Sequence, residues 1–143
     1  MGRKEIRSFE DLKVWQKSRD LRIKVSDFTK CLPSEEKYRL KDQLLRASRS
    51  VTANIAEGYG RFHYQEYIQY CRQARGSLYE VLDHLICAND ENYINDKKLS
   101  RFRNDITDCI RLLNGFISYL RNTKKNNSVR ESDIIYQVDT NNH

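Results

Sequence analysis

The sequence predicts an all-α fold, an antiparallel up-down-up-down four-helix bundle. Three observations predict it. One proline and five glycines in 143 residues leave few places to break a helix. Apolar residues recur at 4-3-4-3 spacing in four separate stretches, the period of one helix face. The links between those stretches are short, which suits antiparallel neighbours. The bundle is expected within residues 1–122, with a short basic arm at 1–7. The polar, Asn-rich remainder, 123–143, is expected to fray, with Ile134-Ile135-Tyr136 its one run able to dock on a partner.

The first helix should begin near Ser8, a capping residue followed by Glu10 and Asp11 at the positive helix end. Its inner stripe is Val14, Ser18, Leu21, Val25 and Phe28, and Cys31-Leu32-Pro33-Ser34 breaks it. Pro33-Ser34-Glu35-Glu36 reads as the start of the second helix. The stripe there is Leu40, Leu44, Ala47, Val51, Asn54 and Gly58, and Gly60 is placed to end the helix as a left-handed cap. The third helix is expected from His63 to Asn89, with Cys71, Ala74, Leu78, Val81 (or Leu82) and Leu85 inside. After a polar link at 88–94, the fourth runs from Asp96 to Asn122 on Leu99, Phe102, Ile106, Cys109, Leu113, Phe116 and Leu120. Helices of about 24–28 residues would be roughly 36–42 Å long at ~1.5 Å per residue.

The segment TANIAEGYGR, Thr52 to Arg61, is where chemistry would be sought first. A phosphate cradle needs a glycine-rich loop between a strand and a helix, usually with Lys-Ser/Thr. Here the glycines close a helix. Gly58, lacking a Cβ, lets a neighbouring helix come close. Asn54 is a polar group in an apolar seam, and its need for hydrogen bonds can set register and partner choice. Glu57 and Arg61 are four apart in the favourable order for an ion pair. A structural role is expected for Asn54, Glu57, Gly58 and Gly60.

FEDLKVWQKSRDL (9–21), QLLRASRSVTANIAEGYGR (43–61) and ARGSLYEVLDHL (74–85) together resemble the family of 23S rRNA intervening-sequence proteins. The resemblance covers about residues 8–120, and Thr52 stands where many members carry proline. It implies an antiparallel four-helix bundle that assembles into a ring-shaped homopentamer. It also implies a protein encoded within insertions in 23S rRNA genes of some bacteria, or elsewhere in genomes, whose biochemical role is poorly defined. A related bundle is the accessory protein of diversity-generating retroelements, a basic pentamer that works with a reverse transcriptase and RNA.

Enzyme classes find little support. A di-iron bundle needs Glu-x-x-His motifs, and the residues three before His63, His84 and His143 are Gly60, Val81 and Thr140. His84 and Cys87 share a helix face but are two ligands without a third, so they read as a surface histidine beside a packed cysteine. Cys71 and Cys109 fall on inner stripes, where burial works against a nucleophilic thiolate. No catalytic residue, cofactor, metal or small-molecule substrate is expected.

Binding remains. The net charge is +6, and the basic excess is concentrated in residues 1–32. Lys13, Lys17, Lys24, Arg46 and Arg49, with Arg3, Lys4 and Arg7 ahead of them, form one basic set. A second interleaves cations with aromatics: Arg61, Phe62, His63, Tyr64, Tyr67, Tyr70, Arg72 and Arg75. Such a surface can stack bases and grip phosphates, or serve as a subunit interface rich in Tyr and Arg. The candidate phosphate contacts are Lys13, Lys17, Arg46, Arg49, Arg61, Arg72 and Arg75. The candidate subunit-interface residues are Trp15, Ile23, Tyr64, Tyr67 and Tyr70, because Leu12, Trp15, Ile23, Tyr79, Ile86, Ile110 and Ile117 form a second apolar strip outside the four stripes. RNA or a nucleic-acid-processing protein is the candidate partner, and a purely structural or protein-binding module is the competing class. With no apolar secretory segment, no membrane-spanning run and a failed myristoylation pattern at Ile6, a cytoplasmic location is expected. The four separated cysteines are expected to stay reduced.

Overall fold

The computed structural model describes residues 6–125. The segments 1–5 and 126–143, which include most of the basic arm and the expected docking run at 134–136, lie outside the described residues. Four α-helices are present among the described residues and no strand: α1 Lys13–Thr29, α2 Leu40–Tyr59, α3 Tyr64–Asp90 and α4 Asp96–Lys125. Each helix packs on its neighbour in chain order and α4 closes against α1, while the diagonal pairs stay apart. That is the antiparallel bundle the four stripes predict.

The two N-terminal helices are shorter than expected, 17 and 20 residues, and the reasons are local. Ser8 does cap, accepting from the Glu10 N–H, and Asp11 accepts from the Arg7 and Ser8 N–H groups at 2.8 and 3.4 Å. The capped segment is only a 3-10 turn, Phe9–Asp11, closed off by Leu12 in an extended conformation. That kink turns Leu12 inward to 1% exposure, and Ile6 of the expected basic arm is equally buried. The start signal at Pro33 likewise yields a single 3-10 turn, Ser34–Glu36. Nothing between Ser34 and Arg39 belongs to an apolar stripe, and Tyr38 is 83% exposed. An isolated turn gains little, so α2 starts at Leu40, where packing begins.

The end of α2 also differs. Gly60 stays right-handed, at φ −77°, and the left-handed reversal falls on Phe62, at φ 61°. At the end of α3 the reversal falls on Asn92, φ 64°, and the Tyr93 N–H reaches back to the Ala88 carbonyl at 2.8 Å. Asparagine tolerates that conformation better than phenylalanine does. α4 is capped by Asn95, whose side-chain oxygen accepts from the Lys98 N–H at 2.8 Å. It continues past Asn122, where Thr123 is buried and donates to the Tyr119 carbonyl.

The inner stripes of α3 and α4 are buried as read, with Val81 rather than Leu82 inside. One end of the bundle is held by a run of edge-to-face rings through all four helices. Phe9 meets Trp15 of α1 and Tyr59 of α2, Tyr59 meets Tyr67 of α3, and Tyr67 meets Phe116 of α4, at centroid separations of 5.2 to 6.5 Å. This end carries the Gly58 segment and the aromatic-basic set.

Candidate functional site

The helices α2 and α3 come close together at Gly58. A Cβ there would stand 2.7 Å from Tyr67 Cδ1 and 2.9 Å from Tyr70 Cβ, so α2 and α3 meet at this point only because the side chain is absent. Beside it, Arg61 Nη2 donates to Glu57 Oε1 at 3.1 Å and to the Tyr70 hydroxyl at 2.9 Å, and that hydroxyl donates to Glu57 at 3.3 Å. The guanidinium also lies over the Tyr70 ring. The hydrogen bond to Glu57, then the proximity and hydrogen bond of Tyr70, raise the Arg61 pKa above its ordinary value. Arg61 thus braces α2 against α3.

Asn54 is not on the inner stripe. Ile55 takes that place at 0% exposure, and Asn54 is half-buried on the flank facing α3. Ser48 and Thr52 are buried too, so the core-facing side of α2 is centred towards Ile55 and away from Asn54. Its amide donates within its own helix, to the Ser50 carbonyl and hydroxyl at 2.8 and 3.0 Å. The cross-helix bond is made by Ser50 and Ser77, whose hydroxyls stand 2.9 Å apart. Ser50 lies one turn before Asn54, the only signal the sequence offered for it. On the opposite flank Arg22 donates to the buried Thr52 hydroxyl at 2.9 Å and ties α1 to α2.

The interface candidates separate. Ile23 is 46% exposed, Trp15 is half-buried beneath Arg19, and Tyr64 is half-buried. Tyr70 is half-buried within the Arg61 brace. Tyr67 is no surface residue: it is 6% exposed and wedged between Tyr59 and Phe116. Burial raises its pKa well above the ordinary tyrosine value, with Cys71 and Tyr59 adding to the shift. Leu12 and Ile117, read as strip residues, are also core.

The first basic set is not one patch. Lys24 pairs with Asp105 of α4 at 3.1 Å, and the Lys17 charge acts on Cys109 of α4, so this flank of α1 faces away from α2. Lys13 is exposed on α1. On α2, Arg46 is paired with Asp42 of its own helix at 3.1 Å and Arg49 is exposed.

A concentration of cations only partly anticipated from the sequence lies between α3 and α4. A solvent-open groove of about 880 Å³ runs past Gln65, Glu66, Ile68, Gln69 and Arg72 on α3. Its other wall is Ser118, Arg121, Asn122 and Lys124 of α4. Arg72 was a candidate; Arg121 and Lys124 were not. Their signal was spacing: Ser118, Arg121 and Asn122 lie three and four apart on one side of α4. Arg72 and Arg121 form no ion pair with another described residue, and Lys124 donates to Gln65 Oε1 at 2.6 Å. Glu66 is the single carboxylate lining the groove. Arg75, further along the seam, donates to Asn114 of α4 at 2.8 Å.

Cysteine and metal chemistry have no comparable setting. Burial pushes the Cys71 thiol up to about 12 and the Cys109 thiol to about 11, far from a nucleophile. Cys87, expected to be packed, is exposed, because α3 turns its outer flank to solvent there. Its pKa is raised by partial burial and then by Asp83, Asp90, Glu91 and Glu36. Among the described residues no three His, Cys, Asp or Glu side chains converge as metal ligands. No described helix is long and apolar enough to cross a membrane.

Fold and surface together define an antiparallel four-helix-bundle protein with a filled core and an open, cation-lined groove outside it. The model of the 23S rRNA-intervening sequence protein family matches residues 10–115, and the chain belongs to that family. Its fold is similar to a crystal structure, at 1.70 Å, of a protein of unknown function from the S23 ribosomal protein family of Bacteroides thetaiotaomicron. The two share 26% identity at a TM-score of 0.67, over 73% of this chain and 97% of that one. Among curated proteins, none matches.

Proposed function

We propose that this chain is a non-enzymatic helical scaffold that assembles with copies of itself and binds RNA through repeated basic surfaces. The observation that carries the proposal is the α3/α4 groove. Three cations line it against one carboxylate, and none of the three is in an ion pair with another described residue. Unneutralised cations beside amide and hydroxyl side chains suit phosphate and sugar oxygens. Exposed Ile23 and half-buried Trp15 supply apolar surface for self-association, and the family resemblance favours a pentameric ring. In a ring every groove recurs, so weak contacts add through multivalency. On this reading the protein works in the cytoplasm and needs no cofactor.

Binding of a labelled RNA hairpin, followed by fluorescence anisotropy over a salt series, tests the proposal. Three phosphate contacts give a slope that costs roughly 20- to 40-fold in affinity between 50 and 200 mM salt for each groove engaged. The double variant R72E/R121E should bind far more weakly with its helicity intact. No binding at low salt would reject the RNA proposal. Sedimentation tests self-association, and a monomer at micromolar concentration would reject it.

A further inference from the structure

The α2–α3 loop presents Phe62 to solvent at 89% exposure, the most exposed of the large apolar side chains among the described residues. Its φ of 61° is a left-handed conformation that a residue with a bulky side chain adopts only at a cost. Phe62 therefore combines a strained backbone with an unburied ring, and its ring is in no aromatic or cation–π pair with another described residue. A backbone outlier of this kind points to a use outside the fold. Three residues later Gln65 opens the α3/α4 groove, with Arg72 and Arg121 along it.

We infer that Phe62 and the groove form one site for single-stranded RNA: the ring stacks on a base while Arg72, Arg121 and Lys124 hold the adjoining phosphates. The inference rests on the RNA-binding proposal and narrows it. An aromatic platform beside a cationic channel is the combination that binds single strands with little regard to sequence. A duplex keeps its base faces stacked inside and offers a phenyl ring nothing to stack on. An unpaired strand or loop offers every face. Lys124, although bonded to Gln65, retains further ammonium protons for a phosphate. Glu66 repels phosphate locally, so the backbone is expected to run on the Arg72–Arg121 side of the groove.

The test uses the full chain, a fluorescent twelve-nucleotide oligoadenylate, and a blunt duplex of similar length, at low salt. F62A should weaken single-strand binding about 5- to 150-fold, the range for losing one stacked base. F62W, which keeps a ring, should bind at least as tightly as the wild type, and duplex binding should be the same in all three proteins. Phe62 is 89% exposed, so F62A is expected to fold normally, with circular dichroism as the check. Unchanged single-strand affinity in F62A, or a wild-type preference for the duplex, overturns this site. In either case salt-sensitive binding of the hairpin would leave the broader RNA proposal standing, whereas failure to bind any of the three RNAs removes both.

Discussion

Replacing Gly58 by alanine should destabilise the bundle, although alanine is the better helix former. The new Cβ would lie 2.7 Å from Tyr67 Cδ1 and 2.9 Å from Tyr70 Cβ, where ordinary contact begins near 3.4 Å. Neither neighbour yields easily. Tyr70 Cβ is fixed to the backbone of α3, and the Tyr67 ring sits between Tyr59 and Phe116 at centroid distances of 6.4 and 5.2 Å. The helices must separate by more than half an ångström, which belongs to the upper part of the ~1–3 kcal/mol range for overpacking. Helix propensity returns about 1 kcal/mol. The net loss is about 1–2 kcal/mol, or roughly 3–8 °C in Tm for a chain of this size. Gly76→Ala is the control, because nothing lies within 4 Å of a Cβ there and Gly76 is exposed within α3. That substitution should raise stability by about 1 kcal/mol. Denaturant unfolding followed by far-UV circular dichroism, at matched protein concentration, separates the two. Equal effects of the two substitutions, or a stabilised G58A, would refute the close approach of α2 and α3 at this position.

Other outcomes follow from the same geometry. Phe62→Gly should stabilise the chain by up to about 1 kcal/mol, since glycine adopts a positive φ without the Cβ clash; a loss of stability would show that the ring packs in solution. In the native protein a thiol reagent at neutral pH should label Cys31 and Cys87 and spare Cys71 and Cys109 until denaturant is added. Stability should fall as pH rises above about 9. The folded state holds protons on Cys71 and Cys109 up to about 12 and 11, whereas an unfolded cysteine releases its proton near the ordinary thiol value of 9.0. The unfolded state then binds fewer protons, and each thiol contributes a slope of about 1.4 kcal/mol per pH unit between the two pKa values. A flat urea midpoint from pH 8 to pH 10 would contradict that burial.

The four stripes were legible because a helix facing a core must repeat its apolar residues every three or four positions, and α3 and α4 do so throughout. The ends were less legible. Ser8 and Pro33 carry sound start signals, yet each nucleates a single 3-10 turn because the residues beyond it have nothing to pack against, or, at Leu12, pack better from an extended backbone. Gly60 looked like the left-handed residue, while the chain reversal fell two residues later on Phe62. Asn54 and Ile55 exchanged their expected roles because the buried face of α2 also takes in Ser48 and Thr52, which centres it on the Ile55 side of the stripe.

Periodicity along one chain thus determined the fold class, the helix count, most of the core and the absence of an activated thiol on the inner stripes. Each of these depends on residues within a few turns of one another. Which cations share a surface depends on helices brought together across the bundle. Lys17 and Lys24 face α4 rather than Arg46 and Arg49, and Arg61 is committed to Glu57 and Tyr70. Arg72 meets Arg121 and Lys124 across a groove although about fifty residues of chain separate them. Helix rotation and pairing set that proximity, and both are decided by the packed core, which a local pattern of residues does not encode.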